Sequence, residues 1–195
     1  MTTAPLGGTW SAAAPTIRRV GPGVRPGGDT GSAPMAADSA FGVALVSLWH
    51  ESAQAGGAVG FAAAAPRAEI ARAAVPLVDS LRQGRALGVA ADQARRLVGA
   101  AVLRPGQGTR SRTGTLELLM VEPALTGCGL GTRLLGELLA AARDRGLLRV
   151  DVAFAQDERG QRFFEKAGFT VWGRRPHWQQ GPDGDRDELI MGVLL

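Results

Sequence analysis

The sequence predicts an α/β or α+β domain, with helices interleaved among the strands of a mixed sheet. Three observations carry this. Residues 115–146 read as strand, glycine-rich loop and amphipathic helix in immediate succession. Short apolar runs of strand length recur on both sides of that stretch, separated by segments with helical periodicity. The resulting order, β-α-α-β-β-β-α-β-α-β-β, belongs to neither an all-α nor an all-β domain.

The elements follow in order. Residues 1–15 are small, contain Pro and Gly and carry almost no charge, which predicts a disordered tail whose one bulky side chain is Trp10. A single domain then spans residues 16–195. Residues 16–20 supply a first, edge-type strand, and residues 21–37 an irregular connection rich in Gly and Pro, long for a compact domain. Asp38 or Ser39 can N-cap a helix reaching about residue 55, with Val43, Val46, Leu48 and Trp49 as its apolar residues. Gly56 and Gly57 break it. Pro66 opens a second helix that ends near residue 82, and Pro76 within it is expected to kink or divide it.

Residues 86–90 and 97–103 flank a turn near 92–95 and predict an antiparallel hairpin. A polar loop, 104–113, leads to the strand 116–121. Pro123 cannot donate to a ladder and biases Glu122 towards extended geometry, so the strand stops there. Leu130, Leu134, Leu135, Leu138, Leu139 and Ala142 share one face of the following helix, and Gly146 ends it. A strand at 147–153, a helix at 158–167 and a strand at 169–173 come next. Residues 174–186 are expected to be a loop containing a Pro-Asp-Gly turn, before the last strand, 188–194.

Bulk composition narrows the functional classes. The net charge is only +4, and of 22 basic residues only Lys166 is lysine; the arginines are scattered among 18 acids rather than gathered in a run. A pI of 10.8 therefore speaks weakly for nucleic acid, and no nucleic-acid partner is expected. One cysteine, Cys128, rules out an intramolecular disulfide and suits a reducing compartment. No apolar run has the length of a membrane span and no secretory leader is visible, so a cytoplasmic location and no membrane partner are expected.

The loop Thr126-Gly127-Cys128-Gly129-Leu130-Gly131 is where chemistry can be argued. Main-chain N–H groups converge on an anion only where no Cβ blocks its approach. The first helical turn then adds unpaired donors and the positive end of the dipole. A phosphate or pyrophosphate is the natural guest. The absence of Gly-Lys-Ser/Thr excludes a Walker loop.

Val121-x-Pro123 followed by Thr126-x-x-Gly129-x-Gly131 resembles the acetyl-CoA loop of the GNAT-type N-acetyltransferases. Downstream, Asp157-x-x-Gly160-x-x-Phe163-Phe164-Glu165-Lys166-Ala167-Gly168-Phe169 is similar to that family's Asn-x-x-Ala-x-x-Phe-Tyr-Glu-Lys-x-Gly-Phe. The resemblance implies a mixed, mostly antiparallel sheet of six to seven strands with helices on both faces. It implies acetyl-CoA as cosubstrate and no metal. Leu119, Met120 and Val121 would offer main-chain groups to the pantetheine arm. Thr126, Gly127, Cys128, Gly129, Leu130, Gly131 and Thr132 would hold the pyrophosphate, with Asp157 and Phe164 also on the cofactor side. The chain departs from the pattern at Thr126 (usually Arg or Gln), at Asp157 (Asn) and at Phe164 (Tyr), and it has no tyrosine at all. Arg133 can partly replace the charge missing at Thr126.

Acetyl transfer to an amine requires a group to accept the ammonium proton. Glu117 is the first candidate, as the only ionisable residue in its strand, although relatives often carry the carboxylate where this chain has Thr115. Asp151, in the middle of an apolar strand, is the second. It reads either as a base with a pKa raised by burial or as a buried acid tied to an arginine. For the acceptor, family geometry points to Trp49, Glu51 and His177, with Arg174 or Arg175 available for a carboxylate. Residues 48–61, 119–121 and 182–184 show patchy similarity to tabtoxin-resistance-type acetyltransferases. The expected acceptor is a small-molecule amine, amino-acid-like or antibiotic- or toxin-like, and a homodimer is compatible with this reading. Two alternatives stand beside it: a CoA-binding regulatory protein without turnover, and a basic nucleic-acid module.

Overall fold

The computed structural model describes residues 14–22, 35–57, 59–181 and 184–195. Residues 1–13 of the expected tail, with Trp10, most of the 21–37 connection, and Pro182 and Asp183 lie outside the described residues. One sheet organises the rest, in the order β2-β1-β3-β4-β5-β6-β8-β7. Its strands are β1 (Thr16–Gly21), β2 (Met35–Ala36), β3 (Leu87–Gln93), β4 (Arg96–Pro105), β5 (Thr113–Val121), β6 (Arg149–Ala155), β7 (Thr170–Gly181) and β8 (Gly184–Leu194). The helices are α1 (Ser39–Gln54), α2 (Arg67–Arg82), α3 (Leu130–Asp144) and α4 (Glu158–Lys166). Neighbouring strands are antiparallel except β1–β2 and β5–β6. The mixed, mostly antiparallel sheet is as expected. The strand beyond the predicted seven is the two-residue β2, too short to leave a sequence pattern.

The predicted caps work as their chemistry requires. Asp38 Oδ1 accepts from Phe41 N at 2.9 Å and starts α1. Pro66 caps α2 without a side-chain bond. Pro76, expected to break that helix, leaves α2 continuous, and its own carbonyl accepts from Ser80 Oγ at 2.7 Å. A second expectation fails more substantially. Residues 174–181 and 184–186 are not a loop: β7 runs to Gly181 and β8 begins at Gly184, and the two pair as one long hairpin. Its Arg and Gln side chains are solvated on both faces, so the alternation that marks a half-buried strand is missing. Near Pro176 the register shifts between Arg175 and Gln179, and His177 takes a positive φ of 52°.

Two apolar cores lie on opposite faces of the sheet. Leu45, Leu48 and Trp49 of α1 and Ile70, Leu77 and Leu81 of α2 pack on Ala90, Ala100, Val102, Leu118 and Met120. On the other face Leu130, Leu134, Leu135 and Leu138 of α3 and Phe164 of α4 pack on Ala101, Leu103, Leu116, Val150, Val152 and Met191. Strand β4, sandwiched between them, is buried from Leu97 to Leu103, hence its uninterrupted apolar sequence.

An irregularity in β5 positions the site. Val102 pairs with Leu118 but Leu103 pairs with Leu116, so Glu117 is the extra residue of a β-bulge. Before the bulge Leu116 faces the α3 core. After it Leu118 and Met120 face the α1 core, while Leu119 and Val121 turn to the α3 side.

Candidate functional site

Strands β5 and β6 part company just beyond the bulge. Their pairing covers only Thr113↔Arg149 to Leu116↔Val152. Beyond it β5 stays with β4 as far as Val121 and β6 stays with β8 as far as Ala155, so a wedge opens between two otherwise well-paired strands. Unpaired main-chain donors and acceptors along such a wedge need partners, and an extended ligand with amide groups can supply them. Leu119, Met120 and Val121 line its β5 side.

The glycine loop sits at the open end of the wedge. Gly127 and Gly129 have φ of +85° and +82°, and a Cβ built on either would meet nothing within 4 Å. Glycine is thus required by backbone conformation, and the space in front of the loop is empty of protein. Gly129 is the N-cap of α3 and offers no side-chain cap. Six consecutive amides, those of Gly127, Cys128, Gly129, Leu130, Gly131 and Thr132, have no acceptor among the described residues; the first bonded helical amide is Arg133 N, to Gly129 O at 3.1 Å. Such a row of exposed N–H groups at a helix N-terminus fits a diphosphate. Cys128 points elsewhere, its thiol donating to Leu125 O at 2.8 Å. Thr126 is exposed. Arg133 reaches back to Pro15 O at 3.4 Å rather than towards the loop.

The two candidate carboxylates differ in their partners. Glu117, carried outward by the bulge, bonds Arg104 Nε through Oε1 at 2.5 Å, and the same guanidinium reaches Ser80 Oγ at 3.5 Å. The hydrogen bond it donates to Glu117 holds the Arg104 guanidinium above its ordinary range, against the opposing pull of burial. Asp151 is half-buried rather than buried, and no arginine ties it down. Its Oδ1 accepts from Thr115 Oγ1 at 3.0 Å, and its Oδ2 has no protein partner among the described residues. Thr115 and Asp151 are Cα partners across the last well-paired stretch before the wedge. Asp151 on β6 thus stands opposite Thr115, the β5 position at which the family resemblance places a carboxylate.

Several candidates turn out to hold the fold. Trp49 is buried, with its indole N–H bonded to Val59 O at 2.8 Å and its ring edge-on to Phe61 at 5.4 Å. It fastens the α1–α2 connection and has no group left for an acceptor. Asp157 N-caps α4, with Oδ1 accepting from Gly160 N at 2.7 Å. Phe164 is buried among Phe154, Phe163 and Phe169, its ring 5.1–5.2 Å from each. The ring beside the loop is Phe163 instead: its Cε2 would lie 3.5 Å from a Cβ at Gly131. The sequence pattern points to Phe164 instead, because which ring of the pair faces the loop depends on the rotation of α4.

Glu51 is exposed at a cleft of about 350 Å³ between α1 and the β3–β4 turn, where Arg96 bridges it (3.2 Å) to Glu122 (2.5 Å). His177 is exposed on the β7–β8 hairpin, and its main-chain N–H donates to Asp187 Oδ1 at 3.0 Å. Arg174 and Arg175 are paired with Asp187 and Glu188. The structure therefore does not gather Trp49, Glu51 and His177 into one pocket. Among the described residues no group of three or more His, Cys, Asp or Glu could hold a metal ion, and no helix is long and apolar enough to cross a membrane.

Comparison with known proteins converges on one family. Residues 63–169, more than half of the chain, match the Acetyltransferase (GNAT) family. Uncharacterized N-acetyltransferases of Mycobacterium bovis and Mycobacterium tuberculosis are 38% identical over 101 residues, which is 51% of this chain. The chain spans 62% of the length of these relatives. Among solved structures, the putative acetyltransferase yncA from Salmonella typhimurium, determined with its cofactor acetyl-CoA, aligns with a TM-score of 0.68 and 19% identity over 94% of this chain and 95% of its own. An aminoglycoside 6'-N-acetyltransferase complexed with coenzyme A aligns with a TM-score of 0.61 and 18% identity over 80% and 92%.

Proposed function

The chain belongs to the GNAT acetyltransferase family, and from that premise we propose that it moves the acetyl group of acetyl-CoA to the primary amine of a small molecule by direct attack in a ternary complex. The carrying observation is the wedge between β5 and β6, which opens directly onto six unbonded amides around Gly129. The loop residues 127–132 hold the diphosphate, and Leu119, Met120 and Val121 offer main-chain groups along the wedge. Bound there, acetyl-CoA supplies an already activated acyl group, so the protein's task is positioning and proton removal.

Asp151 is the group we assign to proton removal. Thr115 fixes one of its oxygens and leaves the other free, at the level where the strands begin to part. Glu117, the stronger candidate on sequence position, is engaged by Arg104. No tyrosine exists to protonate the departing thiolate, and Phe164 is buried, so that proton comes from solvent. The acceptor is a small amine, amino-acid-like or antibiotic- or toxin-like. A CoA-binding protein without turnover is the competing reading, favoured by that missing hydroxyl.

Calorimetry with acetyl-CoA and a thiol-release assay over a panel of amines test both. Binding with turnover is expected, and Gly129→Val should weaken binding by at least about tenfold. A valine at φ +82° costs about 1–2 kcal/mol before it shields any amide. Binding without thiol release for any amine would favour the regulatory reading. No binding would remove both.

A further inference from the structure

The sheet face that carries α1 and α2 over β3, β4 and β5 continues without a helix over β6, β8 and β7. One cross-strand row on this bare part is Thr115–Asp151–Gly192–Thr170, whose members are consecutive Cα partners. Partners in register present their side chains on one face, so all four positions look the same way. Gly192 has no side chain, and Trp172 uses the space. A Cβ at Gly192 would stand 2.4 Å from the indole, so the ring rests on the glycine's backbone. Trp172 can do this because it is the extra residue of a bulge, between Val171↔Met191 and Gly173↔Ile190. The ring remains about half exposed, at 49%. Adjacent strands lie about 4.8 Å apart, which puts the indole beside Asp151.

Arg149 lies two residues before Asp151 on the same strand and therefore on the same face, with Cα atoms about 6.5–7 Å apart. It is exposed, and among the described residues it has no carboxylate or carbonyl partner. The two opposite charges are close enough to be shared by one small molecule, yet they do not pair with each other. Glu117–Arg104 and Glu188–Arg175, also on this face, are by contrast paired. Resting on the transferase reading above, we propose that this face selects a free α-amino acid with an apolar or aromatic side chain as acceptor. Asp151 receives the ammonium, Arg149 the carboxylate, and the Trp172 ring lies against the side chain. The fork of an arginine matches a carboxylate in two parallel bonds. The indole adds apolar contact and a cation-facing π surface beside the ammonium. Trp172 and Arg149 then decide specificity, while Asp151 serves both to bind and to deprotonate.

The test compares amino acids with the same molecules lacking the carboxylate. Phenylalanine against phenethylamine, and leucine against isoamylamine, are titrated calorimetrically into the protein alone and into the protein saturated with CoA. Each amino acid should bind at least about tenfold more tightly than its amine, the size expected of a charge-assisted pair. Arg149→Met should bring both ratios to about one. Trp172→Ala should weaken phenylalanine by at least about fivefold while keeping its advantage over phenethylamine. Unchanged melting temperatures show that both variants fold. Equal affinity of acid and amine, a ratio that survives Arg149→Met, or no binding by any of the four would overturn the proposal. The CoA titration is read separately: failure of CoA to bind sinks the transferase reading, whereas the amino acid preference is measured with or without it.

Discussion

One face of one sheet is covered by helices over one half and bare over the other. Over β3, β4 and the end of β5 it is covered by α1 and α2, and its residues are Ala90, Ala100, Val102, Leu118 and Met120, each at most 4% exposed. Over β6, β8 and β7 the same face is bare and carries Arg149, Asp151 and Trp172. The boundary falls at the Glu117 bulge, where β5 changes which of its residues face the helices and then leaves β6. The comparison teaches that the helix layer is confined to one half, which leaves the other open to the second substrate in the function proposed above. Substitutions under the helices should change stability, and substitutions on the bare half should change chemistry.

The largest expected effect is on the covered side. Leu45 on α1 is fully buried against the sheet, so Leu45→Ala should cost about 2–5 kcal/mol in denaturant unfolding, with the KM for acetyl-CoA unchanged in whatever remains folded. Next comes the bare side. Asp151→Asn keeps the shape and the bond to Thr115 Oγ1 but cannot take a proton. It should lower kcat by about a hundredfold, within the range for a general base, and leave the unfolding midpoint almost unmoved. If Asp151→Asn destabilised the fold as strongly as Leu45→Ala, the division between the two halves would be lost.

The features readable in the sequence are those fixed by neighbours along the chain. The loop was legible because positive φ at Gly127 and Gly129 and the start of α3 are local matters, as is the Asp38 cap. Both carboxylates were legible as charges inside apolar strands. Features set by pairing across the sheet were not. The bulge at Glu117 depends on the register of β4, and Arg104, which engages that carboxylate, lies on a different strand. Trp49 looked like an acceptor contact because nothing local shows that Val59 folds back onto its indole N–H. The far half of β7 reads as a loop because a doubly solvated strand has no burial period to read.

Trp49 sharpens the comparison at moderate size. It belongs to the covered half although it was expected at the acceptor site. Trp49→Phe removes the donor to Val59 O and part of the contact with Phe61, and should cost about 1–2 kcal/mol in unfolding. Kinetic constants for both substrates should stay within about twofold. An acceptor KM that rose alone would return Trp49 to the site.

The smallest effect, and the one that discriminates most, is expected from Glu117→Gln at the boundary. This carboxylate and Arg104 have side chains 26% and 45% exposed, so water screens their pairing and its loss should cost no more than about 1 kcal/mol. Glutamine keeps an oxygen that can still accept from Arg104 Nε, which preserves the bulge. If Glu117 only anchors Arg104 over Ser80, kcat should change less than about threefold. A fall of about a hundredfold, with Asp151→Asn near wild type, would instead make Glu117 the proton acceptor. The reacting amine would then be deprotonated from the strand under the helices, and the bare half would retain acceptor binding alone.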